Sequence, residues 1–127
     1  MAKTCRRFAG RQGSDPIDRG YFARFTRGNA KLEREVLELF CAQMPISLQR
    51  LRGARSGGAW RDAAHTIKGS ASAIGAWRLA GMAELARSID IENAAGRSQG
   101  WRDAAERALS EAAEDVCRHI ERLYAKS

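Results

Sequence analysis

Residues 60–75 read WRDAAHTIKGSASAIG, and their spacing sets both a helix and its exposed side. With about 100° of rotation per residue, Ala63, Ile67 and Ile74 fall opposite His65, flanked by Trp60, Ser70 and Ala71. That apolar side predicts a helix face anchored in a core. Arg61, Asp62, Lys68, Gly69, Ser72 and Ala76 cluster around His65 instead, so the imidazole is expected to face water.

Gly69 calls for a reason, because an interior helical glycine costs roughly 1 kcal/mol relative to alanine. It falls on the exposed side, where packing inside the protein is a poor explanation. A glycine one turn after the histidine removes the side chain that would obstruct an approaching partner, and the small residues Ser72 and Ala76 extend that clearing. Lys68, three positions after His65, shares the same face. Its ammonium would stabilise a phosphoryl group on the imidazole by about 1 kcal/mol at a wet surface, and more once a docked partner excludes water. Neutral imidazole is a competent nucleophile near pH 7, and Arg61 adds another cation on this face.

Working outward, the chain reads as helices throughout. Its 127 residues fit one domain, and an Ala-rich, Pro-poor composition favours helix. Residues 1–14 lack periodicity and read as a flexible basic arm, leaving residues 15–127 as the folded domain. Asp18 is a good N-cap for a short helix carrying Tyr21, Phe22 and Phe25, which Gly28 stops. Asn29 caps a longer helix with apolar positions Leu32, Val36, Leu39, Phe40, Leu48 and Leu51, in which Pro45 predicts a kink. Gly53, Ser56, Gly57 and Gly58 read as a loop before the Trp60 helix, and Gly75 as its end. Leu79, Met82, Ala83, Leu85 and Ile89 are the burial candidates of the next helix. After a break at Gly96, Ser98 and Gly100, the segment from Trp101 to about Tyr124 repeats Ala105, Leu109, Ala112, Val116, Ile120 and Leu123 at amphipathic spacing. The expected architecture is an all-α antiparallel four-helix bundle with a short additional N-terminal helix.

Composition excludes several alternatives. No apolar run approaches the ~18 residues of a membrane span, and the N-terminus lacks the apolar stretch of a signal peptide, so the expected location is the cytoplasm. Cys5, Cys41 and Cys117 match neither a disulfide framework nor a metal site. The net charge of +7, with a pI near 10.0, is scattered among acidic residues, which favours solvated helix faces and an acidic protein partner over nucleic acid. The Glu33, Arg34, Glu35 and Glu38 cluster reads as a solvated face. His119 has no lysine or glycine at matching spacing and reads as a boundary residue of the last helix. Trp60, Trp77 and Trp101 read as core or lid aromatics. There is no Gly-rich loop for ATP phosphates and no Ser/His/Asp arrangement.

The motif resembles that of the histidine-containing phosphotransfer (HPt) domain family, met here by His65, Ile67, Lys68, Gly69, Ser70, Ala71, Ile74 and Gly75. A chance match at one position is on the order of one in 10⁸ with average residue usage, so the resemblance is specific. It extends over about residues 15–125 and weakens in the last helix. It implies a four-helix bundle whose exposed His65 takes a phosphoryl group from a receiver-domain aspartyl phosphate and passes it to an aspartate on another. The implied partners are response-regulator receivers and a hybrid sensor histidine kinase. No cofactor is expected on this chain, magnesium belonging to the receiver. Phe22, Phe25, Arg61, Ser72, Ala76 and Arg87 are the expected docking residues, and a monomer is expected. In place of the Gln or Glu that many family members use to orient the imidazole, ungapped counting puts Arg87, which cannot accept a hydrogen bond but could add a cation near the phosphoryl group. Two other functions stay open from sequence. One is a module that binds and regulates a kinase or receiver without carrying phosphate, and the other is a basic helical nucleic-acid binder.

Overall fold

A computed structural model describes residues 15–92 and 97–125; the arm at 1–14, with Cys5, lies outside them. Five helices follow in order: α1 (Arg19–Thr26), α2 (Ala30–Arg52), α3 (Gly57–Ala73), α4 (Trp77–Arg87) and α5 (Arg97–Leu123). The described residues hold no strand. Each long helix packs on the next, and α2 closes the ring against α5. The α2–α5 pair is antiparallel, since Arg34 stacks on Tyr124 near one end while Arg52 bonds Ser110 towards the other.

The caps are local chemistry. Asp18, Asn29 and Ser56 accept hydrogen bonds from the amides of Tyr21, Leu32 and Ala59, each satisfying an N–H that a helix start leaves free. Ser56 therefore starts α3 earlier than expected, and Gly57 and Gly58 belong to its first turn. Ser98 and Gly100 likewise lie inside α5. Pro45 does not interrupt α2, which runs continuously past it with the proline exposed.

Trp60, Ala63, Ala64, Ile67 and Ala71 of α3 form the middle of the core, with Leu37, Met44, Leu48 and Leu51 of α2 and Leu109, Val116 and Ile120 of α5. Leu32 and Leu39 were expected there but are exposed; the buried stripe of α2 runs through Leu37 and Met44, one face further round. Glu33 departs from the expected solvated face. It is buried where α1 crosses α2, accepts from the Thr26 hydroxyl at 2.9 Å and faces Arg19 at 3.6 Å. Arg102 ties the start of α5 to the end of α2, donating to the carbonyls of Arg52 and Ala54 at 2.8 Å each while its guanidinium covers the Trp60 ring.

Gly75 closes α3 with a turn that favours glycine. The amides of Gly75 and Ala76 turn back to the carbonyls of Ser72 and Ala71, at 3.1 and 2.8 Å, the paired bonds of a Schellman ending. This requires the left-handed φ of 76° at Gly75. A Cβ there would also lie 2.9 Å from the Asp18 carbonyl oxygen, because the Asp18 amide donates to the Gly75 carbonyl at 2.9 Å. Left-handed backbone costs an L-residue ~1–2 kcal/mol, and here the Asp18 backbone must also retreat. Gly75→Ala is expected to destabilise the fold by about 2 kcal/mol or more, read from the urea midpoint. An unchanged midpoint would mean that this junction is softer than described.

Candidate functional site

α3 presents His65 as the wheel required. Ala64 and Ile67 on either side of it are fully buried, whereas His65, Thr66 and Gly69 are exposed. The imidazole thus rises from a helix whose opposite side is fixed in the core, so its backbone position is set by packing rather than by a loop. Among the described residues, setting aside Lys68, Ser70 and the backbone of α3 itself, no atom lies within 4 Å of where a Gly69 Cβ would sit. Nothing inside the described fold demands a glycine there.

Lys68 is half-buried and does not hang free. Its Nζ donates to Glu84 Oε1 on α4 at 2.9 Å, and Glu84 Oε2 accepts from Arg87 Nη2 at 3.2 Å. The two cations hold the Glu84 carboxyl below its ordinary range, Lys68 contributing most. Sequence reading missed Glu84. The spacing of α4 alone does not show which of its residues faces Lys68, because that depends on how the α3–α4 hairpin closes. Arg87, expected where other members orient the imidazole, gives its guanidinium to Glu84.

The remaining docking candidates divide. Phe25 is 66% exposed and Ser72 is half-buried near the site, but Phe22 and Ala76 are at 0%. Phe22 points inward as the anchor of α1, and Ala76 lies beneath the Gly75 turn, so neither forms surface. Arg61 is exposed, yet its Nη1 lies 3.1 Å from where a Gly57 Cβ would sit. Gly57 is one turn back along α3, so this guanidinium leans away from His65. Leu85, read as a core residue, is 70% exposed beside Glu84. The buried positions of α4 are Leu79, Ala80, Ala83 and Ala86, and Leu85 falls outside that stripe.

His119 is a boundary residue, as read. Its side chain is mostly shielded and its Nε2 lies 3.2 Å from Asp15 Oδ1. Trp60 is a core aromatic donating to the Ala86 carbonyl at 2.7 Å, Trp77 is half-buried and donates to Asp18 at 3.1 Å, and Trp101 is exposed. Cys41 and Cys117 meet between α2 and α5 as free thiols, burial pushing the Cys41 thiol up to about 12 and Cys117 upward too. No group of three or more His, Cys, Asp or Glu among the described residues could hold a metal, and none of their helices is long and apolar enough to cross a membrane.

The family model described as "Hpt domain" matches residues 35–125, from the second turn of α2 through α5. The chain belongs to the Hpt domain family. No curated protein and no solved structure matches it. Hpt domains are phosphocarrier modules of two-component phosphorelays and exchange phosphoryl groups with receiver domains and kinases. The helical bundle described above is the fold this membership implies.

Proposed function

We propose that this Hpt domain carries its phosphoryl group on His65, taking it from the aspartyl phosphate of one response-regulator receiver and delivering it to the aspartate of another. A ring nitrogen of His65 attacks phosphorus. As the N–P bond forms, the acyl phosphate P–O bond breaks, its electron pair leaves with the receiver's carboxylate, and the imidazole gives up its N–H proton to water. The reverse sequence returns the group. Lys68 stabilises the added negative charge, and Gly69 and Ser72 let the receiver come within bonding distance. Phe25 and the exposed Leu85 offer apolar surface for docking, which Phe22 and Ala76 cannot. The magnesium of the exchange belongs to the receiver, the original donor is a hybrid sensor kinase, and the domain works as a cytoplasmic monomer without binding nucleic acid.

The observation that carries this reading is an exposed imidazole on a core-anchored helix, with an unobstructed glycine one turn on. Incubation with a phosphorylated receiver is expected to label the wild-type chain with acid-labile phosphate and to leave His65→Gln unlabelled. Equal labelling of both would overturn the reading. Full signalling output from an unlabelled His65→Gln chain would point to a docking module that carries no phosphate.

A further inference from the structure

Glu84 has no place in the transfer chemistry above, yet it holds the cation that chemistry needs. Its Oε1 accepts from Lys68 at 2.9 Å and its Oε2 accepts from Arg87 at 3.2 Å, so one carboxylate joins two cations across the α3–α4 hairpin. A carboxylate and a phosphoryl group offer Lys68 the same thing, anionic oxygen acceptors within reach of a flexible four-carbon stem. Lys68 starts only three positions after His65, on the adjoining part of the same helix. Resting on the assignment of His65 as the phosphoryl carrier, we infer that Glu84 is a positioning residue that competes with the phosphoryl group for Lys68, while Arg87 holds Glu84 once Lys68 has moved.

The exposures make the exchange cheap. The side chains of Lys68 and Glu84 are 39% and 45% exposed, and an ion pair so open to water is weakly held. A phosphoryl group carries more negative charge than a carboxylate and draws the ammonium across. Glu84 is not left bare, because Arg87 at its other oxygen is already in place. The phosphoryl group on His65 is therefore stabilised by less than an unencumbered Lys68 would give, which keeps it easy to pass on. No covalent bond changes in this swap.

The test is the equilibrium distribution of phosphoryl groups between a phosphorylated receiver and this chain. Glu84→Gln keeps the side-chain shape and removes the charge, and is expected to shift the distribution roughly two- to fivefold towards phosphorylated His65. Arg87→Ala leaves Lys68 as the only partner of Glu84 among the described residues and is expected to shift it several-fold the other way. In a Glu84→Gln background, Arg87→Ala should have a smaller effect, and in a Lys68→Gln background Glu84→Gln should have almost none, since the two act through one ammonium. A loss of structure alone would not give opposite signs or this coupling, and thermal melts of each variant check the fold. An unchanged equilibrium for Glu84→Gln, or a full effect without Lys68, would overturn the inference while unlabelled His65→Gln still left His65 as the carrier. Labelling of His65→Gln would bring down both.

Discussion

Gly69→Leu is expected to slow phosphoryl transfer from a receiver to His65 by about 100-fold, the scale of loss when reacting groups are held roughly 1 Å out of line. The same position should respond in the opposite direction when stability is measured. The space beside Gly69 is open, and a helical alanine has less backbone freedom to lose than glycine, so Gly69→Ala is expected to stabilise the bundle by ~0.5–1 kcal/mol while transferring phosphate several-fold more slowly. Urea denaturation and single-turnover transfer on one preparation decide this. If Gly69→Ala lowered stability, the glycine would be serving the bundle and not the partner; if Gly69→Leu transferred at the wild-type rate, receivers would not approach over this turn.

Trp60 carries the largest expected effect on folding. Its ring is fully buried, its indole N–H donates to the Ala86 carbonyl at 2.7 Å, and Arg102 lies over its face at 5.0 Å. It joins α3, the end of α4 and the start of α5 at one point. Trp60→Ala should cost ~3–5 kcal/mol, the range for deleting a buried large aromatic. At the scale of ~4–8 °C per kcal/mol for a domain somewhat smaller than this, the melting temperature falls by more than 10 °C. Trp60→Phe keeps most of the ring and removes the indole donor, but the Ala86 carbonyl still accepts from the Ile89 amide at 3.1 Å, so the loss is smaller, about 1 kcal/mol. Equal melting temperatures for Trp60→Ala and wild type would show that the core is not centred on this residue.

These two positions illustrate what could be read from the chain and what could not. The exposure of His65 and Gly69 and the burial of Ile67 follow from helical periodicity over a strongly patterned segment, and Asp18, Asn29 and Gly75 carry their local chemistry in their residue types. Each of these depends on neighbours within a turn or so. Glu84, Leu85, Phe22 and Ala76 were not legible, because their surroundings are set by how one helix meets another. The helix α4 is short and rich in alanine, so several of its faces are apolar enough to be buried, and the choice fell to its packing against α3 and α5. Ala76 looked exposed when the α3 wheel was continued past Gly75, but the chain changes direction there and the wheel no longer applies. Glu33 resembled its charged neighbours in α2 until α1 folded across it. The thiols of Cys41 and Cys117, far apart in sequence, became neighbours only when α5 returned along α2.

The site itself was therefore half visible. His65, Lys68 and Gly69 could be named from spacing, whereas the ion pair that restrains Lys68 required the hairpin. Under the proposed function its consequence is chemical, because a lysine shared between a carboxylate and a phosphoryl group would set how the phosphoryl group divides between this chain and a receiver.

The most direct measurement is the location of the phosphoryl group. After transfer from a labelled receiver, the chain would be digested under neutral conditions and its peptides sequenced by mass spectrometry. A phosphoryl group on His65, stable in base and lost in acid, is the predicted result. The same group found on Ser70, Ser72 or His119 in place of His65, or none on the chain at all, would contradict the account.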